Sequence, residues 1–308
     1  DYFILTVADH LDVVPEFDGD PLNEDNTRPL RGSYKLPGTP VLAQGIARDE
    51  TFAVGIVDGD VRLSYGITGV GTPRTVTYEL EEGLEVHLRT HGGNDTVIGS
   101  DLKEVIFGGE GGDNLRGEGG DDMLFGGPGR DRIDGGEGAD TIDGGDGPET
   151  LIGGPGPDVM YDGPGDDTVD VGPGDDTVFA TPGSADVFID TGGDDTLDFS
   201  FASLPITIDL DSTAIQTVDS AGNTIQLIGQ WENFVGTPFD DDSTVYVKPL
   251  DVPRTLSGGG GIDRLILDAG GAHVVNDGTK FSFPGSGLAD VTYLRFEQIR
   301  VLNAAPNT

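Results

Sequence analysis

The chain has 308 residues and carries 17 basic against 56 acidic side chains, a formal net charge of −39. That balance excludes nucleic acid as a partner, since phosphate binding needs clustered Lys and Arg, and it disfavours anionic membranes for the same reason. Without cysteine there are neither disulfides nor thiolate metal sites, and no run approaches the roughly 18 apolar residues that would span a membrane. Residues 1–10, DYFILTVADH, open on an acid without a basic stretch and read as the start of a mature or trimmed chain, with DYFILTV an edge or cap strand. The following residues up to 50 are polar and proline-spotted; FDGDPLNEDN departs from EF-hand spacing and reads as an acidic loop rather than a calcium loop. TFAVGIVDGDVRLSYGI predicts a hairpin turning at Asp58-Gly59, and TVTYELEEGLEVHLR supplies two more strands.

From Thr90 the sequence repeats every nine residues: THGGNDTVI, GSDLKEVIF, GGEGGDNLR, GEGGDDMLF, GGPGRDRID, GGEGADTID, GGDGPETLI, GGPGPDVMY, DGPGDDTVD, VGPGDDTVF. A ten-residue block, ATPGSADVFI, follows, and TGGDDTLD closes the series after Asp190. The sixth position is a carboxylate in all twelve units: Asp95, Glu104, Asp113, Asp122, Asp131, Asp140, Glu149, Asp158, Asp167, Asp176, Asp186 and Asp195. The eighth is always apolar, from Val97 and Ile106 through Ile142, Leu151 and Met160 to Leu197. Two locked columns make residues 90–198 a repeat array and not a linker.

The chemistry of the unit suggests its shape. Glycine at positions one to four lets the chain turn tightly with exposed carbonyls. Position six places a carboxylate at the edge of that turn, and positions seven to nine form a short strand with only the eighth side chain inward. Two units make one coil of a flattened spiral, so alternate carboxylates share a side. One row holds Asp95, Asp113, Asp131, Glu149, Asp167 and Asp186; the other holds Glu104, Asp122, Asp140, Asp158, Asp176 and Asp195. One inward apolar side chain per nine residues is thin compensation for chain entropy. Stacked carboxylates also repel one another. A cation between coils removes the repulsion, and oxygen-only ligation in a flexible loop favours Ca²⁺.

GGxGxD followed by x-apolar-x resembles the nonapeptide of the repeats-in-toxin (RTX) family of parallel β-rolls. The resemblance covers about a third of the chain and implies an all-β fold, a parallel β-roll or β-solenoid, with several Ca²⁺ ions in two rows. It also implies that the first four loop carbonyls and the sixth-position carboxylate bind the ions. On one side these are Gly108, Gly109, Glu110 and Gly111 with Asp113; Gly126, Gly127, Pro128 and Gly129 with Asp131; Gly144, Gly145, Asp146 and Gly147 with Glu149; and Asp162, Gly163, Pro164 and Gly165 with Asp167. On the other they are Gly117, Glu118, Gly119 and Gly120 with Asp122; Gly135, Gly136, Glu137 and Gly138 with Asp140; Gly153, Gly154, Pro155 and Gly156 with Asp158; and Val171, Gly172, Pro173 and Gly174 with Asp176. Asp95 and Asp195 end the set. Glu149 replaces Asp in an otherwise good loop; the unit at Gly99 lacks the glycines and the unit at Ala180 carries the insertion, so weak or absent sites are expected in these two.

Beyond the array, residues 199–308 read as a β-rich solenoid extension and cap with longer, less regular steps. LSGGGGIDRLILD, with Asp263 sixth and Leu265 eighth, is an isolated nonapeptide, and VTYLRFEQIRVLNAAPNT reads as a last strand pair and a linker-like tail. It does not resemble the C-terminal secretion signal some RTX proteins carry. Residues 1–89 then form an N-terminal cap, which a solenoid needs at its open end.

The acid pairs Asp121/Asp122, Asp166/Asp167, Asp175/Asp176 and Asp194/Asp195 are not read as glycosidase pairs, because position five faces outward in this register. The histidines lack metalloprotease spacing, and neither GxSxG nor a Cys nucleophile exists. Trp231 reads as buried rather than sugar-stacking. The expectation is an extracellular, non-catalytic structural protein, a surface-layer, matrix or filament subunit that assembles with its own copies in calcium. The alternatives are a calcium-folding module of a larger secreted enzyme or toxin, and an adhesin or carbohydrate-binding protein using the irregular C-terminal part.

Overall fold

The structure, a computed structural model, describes residues 41–44, 49–67, 70–79, 84–183, 185–239 and 244–305. The readings of DYFILTV and FDGDPLNEDN lie outside them. The described residues contain no helix, and most strands pair in parallel. The fold is an all-β parallel β-roll. It divides into two compact units, one reaching to Gly156 and one starting at Pro157.

In the first unit, short strands with a polar–apolar–polar pattern stack in two sheets. Thr96–Ser100, Asn114–Gly119, Arg132–Glu137 and Thr150–Ile152 form one parallel ladder. Val41–Gln44, Glu85–Gly92, Lys103–Glu110, Met123–Phe125 and Thr141–Asp143 form the other. Pairing of Thr96 with Asn114 and of Asn114 with Arg132 makes each coil two nonapeptides long. The same register reaches back to Glu85, which pairs with Lys103. At the start of the first ladder, Glu50–Val57 runs parallel to Thr96–Ser100 and antiparallel to Asp60–Ile67, which pairs in turn with Val70–Glu79. Asp58 and Gly59 form the hairpin turn with φ of 56° and 86°, the left-handed pair a two-residue hairpin favours.

The second unit keeps this plan and then loosens it. Val159–Tyr161, Thr177–Phe179, Thr196–Asp198, Asn233–Val235, Arg254–Ser257 and Val291–Leu294 stack in parallel. Beside them run Thr168–Asp170, Asp186–Ile189 and Thr224–Ile228. A third sheet of Thr207–Asp209, Thr244–Val247, Arg264–Asp268 and Gln298–Leu302 occurs only after the array.

The eighth-position side chains are all fully buried, as Leu115, Ile133 and Leu151 show in the first unit and Met160, Val178 and Leu197 in the second. The expectation that only the eighth points inward is corrected, however. The sixth-position carboxylates are no more than about 2% exposed, and position one, where Val171, Ala180 and Asp162 stand, is equally buried. In extended chain, residues two apart share a face. Positions six, eight and one of the next unit therefore line the interior together, and the carboxylate sits inside the turn instead of at its edge.

Candidate metal centre

The inner acids are held by a backbone ladder. Asp113 Oδ1 accepts the N–H of Asp95 at 2.8 Å, and Asp131 Oδ1 accepts that of Asp113 at 2.7 Å. On the opposite side Asp122 accepts from Glu104 and Asp140 from Asp122, at 2.7 and 2.8 Å. In the second unit Asp176 accepts from Asp158, Asp186 from Asp167 and Asp195 from Asp176. The other oxygen is treated differently: Oδ2 of Asp113, Asp122, Asp131 and Asp176 is buried and accepts no hydrogen bond. A buried carboxylate oxygen left this way is costly unless a cation meets it.

What those oxygens face is a glycine-walled space. A methyl group at Gly108 would lie 2.4 Å from Asp113 Oδ2 and 2.8 Å from the Gly126 carbonyl of the next coil. Gly117 stands in the same relation to Asp122 and Gly135, and Gly135 to Asp140 and Gly153. The loops are tied coil to coil: Gly109 N–H donates to Gly126 O, Gly111 to Pro128 O, Gly127 to Gly144 O and Gly129 to Asp146 O. A carbonyl has two lone pairs, so each of these acceptors retains one for a metal. Carboxylate and carbonyl oxygens gathered around a space closed to side chains fit a hard cation such as Ca²⁺.

Burial, followed by neighbouring acids, pushes the carboxyl groups of Asp113 and Asp122 up to about 7, while burial lifts Asp131, Asp140 and Asp176 to about 6. Unfolded aspartate titrates near 3.9. Between these values the metal-free fold binds more protons than the unfolded chain, so its stability falls as pH rises. Protein stripped of metal should therefore show stronger strand circular dichroism at pH 4–5 than at pH 8. Calcium affinity should run the other way, because the ion takes the deprotonated form. A metal-free signal that is flat or grows with pH contradicts this account.

Two units depart from the pattern. Glu104 Oε1 accepts Ser100 Oγ–H at 2.7 Å and its Oε2 accepts Ser100 N–H, so the glycine-poor loop occupies its own carboxylate. Asp186 Oδ2 accepts Gly183 N–H at 2.6 Å while Oδ1 takes Asp167 N–H. Both oxygens are engaged in each case, in the two units with irregular loops. Position five faces outward: Asp121 and Asp175 are exposed and accept the N–H groups of Ala139 and Asp194 on the next coil.

The ladder also recruits acids outside the nonapeptides. Asp95 Oδ1 accepts Glu50 N–H, Glu232 accepts Asp195 N–H and Glu297 accepts Asp263 N–H. The sequence signal they share with the array is an acid–polar–apolar triplet: Glu50-Thr51-Phe52, Glu232-Asn233-Phe234 and Glu297-Gln298-Ile299. Trp231 is fully buried and packs edge-on against Phe188, with ring centroids 6.4 Å apart. The buried reading of this residue holds, and its ring is not available to stack on a sugar.

Stacked parallel coils with buried acids behind glycine loops define a calcium-binding β-roll module. Residues 107–142 and 143–178 each match the four-copy model of the RTX calcium-binding nonapeptide repeat, so this chain carries RTX repeats. No curated protein matches the chain. Among the described residues no helix is long and apolar enough to cross a membrane.

Proposed function

We propose that this chain is a secreted, non-catalytic structural protein, a surface-layer, matrix or filament subunit, whose roll is completed by two rows of Ca²⁺. The observation that carries the calcium reading is the set of buried Oδ2 atoms of Asp113, Asp122, Asp131 and Asp176, which accept no hydrogen bond. The sixth-position carboxylates, with the carbonyls of their own and adjacent glycine loops, would hold the ions. RTX calcium-binding repeats are typical of secreted proteins, which supports the extracellular assignment. The structural role is supported by the described residues, where array and flanks alike are stacked strands. Electron microscopy of the purified chain tests it. Ordered filaments or sheets are expected in calcium and not in chelator; a monomer that persists at high concentration in calcium opposes the assembly role.

The ligand assignment has its own test. Asp140→Ala removes the acceptor of Asp122 N–H and the carboxylate beside both Gly135 and the Gly153 carbonyl. Leaving a buried N–H unsatisfied costs about 1–3 kcal/mol, and two neighbouring ion sites should weaken together. Asp140→Asn keeps an acceptor, so it should lower calcium affinity while costing less metal-free stability. Calcium affinity left unchanged by Asp140→Asn but lowered by Asp140→Ala, measured by calcium titration beside denaturation, would reduce Asp140 to a backbone support.

A further inference from the structure

In most units position one is glycine, and a side chain there would press on the sixth-position carboxylate, as a methyl group at Gly108 would on Asp113. Asp190 occupies that place in the last unit, six-position partner Asp195. From the next coil comes Glu232, whose Oε2 accepts Asp195 N–H at 3.1 Å. One carboxylate oxygen from each of the three lies within 4.8 Å of the others, and the side chains are 7%, 0% and 3% exposed.

The hydrogen bonds fix these acids without neutralising them. Asp190 accepts Gly192 N–H and Gln230 N–H at 2.5 and 2.7 Å, and Glu232 Oε1 accepts Gln230 Nε2–H at 2.8 Å. Asp195 Oδ1 takes Asp176 N–H, while its Oδ2 is buried and accepts nothing. All donors are neutral amides. Asp195 Oδ2 is thus buried beside two other carboxylates with no donor, a cost a metal ion would remove.

We propose that Asp190, Asp195 and Glu232 form a separate three-carboxylate site for one Ca²⁺, fastening the last nonapeptide to the segment that follows the array. Oxygens at about 2.3–2.6 Å from Ca²⁺ lie up to about 5 Å apart across the ion, whereas Mg²⁺ demands about 2.0–2.1 Å and a tighter octahedron. The site shares Asp195 with the array but takes its other ligands from outside the sixth-position column, so it stands or falls apart from the repeat sites.

The chain's single tryptophan, Trp231, is the neighbour of Glu232, with consecutive Cα atoms about 3.8 Å apart. Terbium bound here should therefore emit on selective tryptophan excitation, and one equivalent of added Ca²⁺ should begin to compete it away. Glu232→Gln and Asp190→Asn, which keep hydrogen-bond acceptors, should each cut the sensitised emission at least tenfold. Each should also lower the bound Ca²⁺ count by one in equilibrium dialysis, with strand circular dichroism in calcium retained. Absent emission from the unaltered chain, or an unchanged count in both variants, overturns the site. Asp113→Asn and Asp131→Asn serve as the second arm: if they do not change the count while Trp231 emission saturates with one ion, the repeat sites fail and this one survives.

Discussion

In excess chelator at pH 8, strand circular dichroism from the nonapeptide array should collapse, and added calcium should restore it cooperatively. The inner acids are the reason. Asp113, Asp122, Asp131 and Asp176 are buried with one oxygen each lacking a hydrogen bond, and at pH 8 groups pushed up to about 6 or 7 are mostly ionised. No metal-free state of the roll can keep such charges in its interior cheaply. At Kd values of about 10⁻⁴–10⁻³ M, each ion would return roughly 4–5.5 kcal/mol at standard state. Stability should climb with each rise in free calcium, as linkage requires for a ligand taken up only by the folded form. Full strand content surviving excess chelator at this pH would falsify the metal dependence, though it would leave the β-roll intact.

Gly147→Ala should be among the most damaging single-methyl changes the chain can suffer, with a loss of roughly 2–6 kcal/mol. Gly147 has φ of 139°, and an added Cβ would sit 1.6 Å from the Gly129 carbonyl of the coil before it. Gly129 stands in turn against Gly111 O, and Gly111 against Gly93 O. The obstacle is backbone in every case, so no side chain can swing aside. Gly59→Ala provides the control: its φ of 86° is also strained, but nothing lies within 4 Å, so about 1–2 kcal/mol is expected. Denaturant midpoints in saturating calcium give both values. Equal losses at the two positions would show that turn conformation, and not the stacking of coils, sets the requirement for glycine.

The period, the two-unit coil and the pairing of alternate acids were legible because each is a repeat, and repetition is visible in one sequence. Ile133 and Leu151 fall in one column eighteen residues apart, as their strands do. What was not legible was depth. Reading position six as part of the turn placed Asp131 at an edge, whereas the extended chain begins early enough to bring Asp131, Ile133 and Gly135 onto one inward face. Glu232 was missed because the step from Asp195 is 37 residues, long enough to hide a rung from any search at fixed period. Its triplet with Asn233 and Phe234 held the clue, but a triplet becomes informative only when a strand is known to lie beside it. In the third sheet after the array only Arg264–Asp268 follows a nonapeptide; its partner Thr244–Val247, which pairs Val245 with Leu265, has no repeat before it to reveal the pairing.

The inner ladder also has a direction. Asp95 donates its N–H to Asp113, Asp113 to Asp131, Asp176 to Asp195 and Asp195 to Glu232. Through these side chains a coil relies on the one after it, while the next amide along the chain, as at Asn114, Arg132, Thr196 and Asn233, donates back to the sixth-position carbonyl of the coil before. Cutting the stack from its front strips an acceptor's donor and leaves a carboxylate that water or a cation can serve. Cutting it from behind exposes an amide donor that water can accept from but a cation cannot serve. The two cut ends are therefore chemically unequal: a new front presents a sixth-position carboxylate that has lost its amide, and a new back presents the amide that has lost its carboxylate.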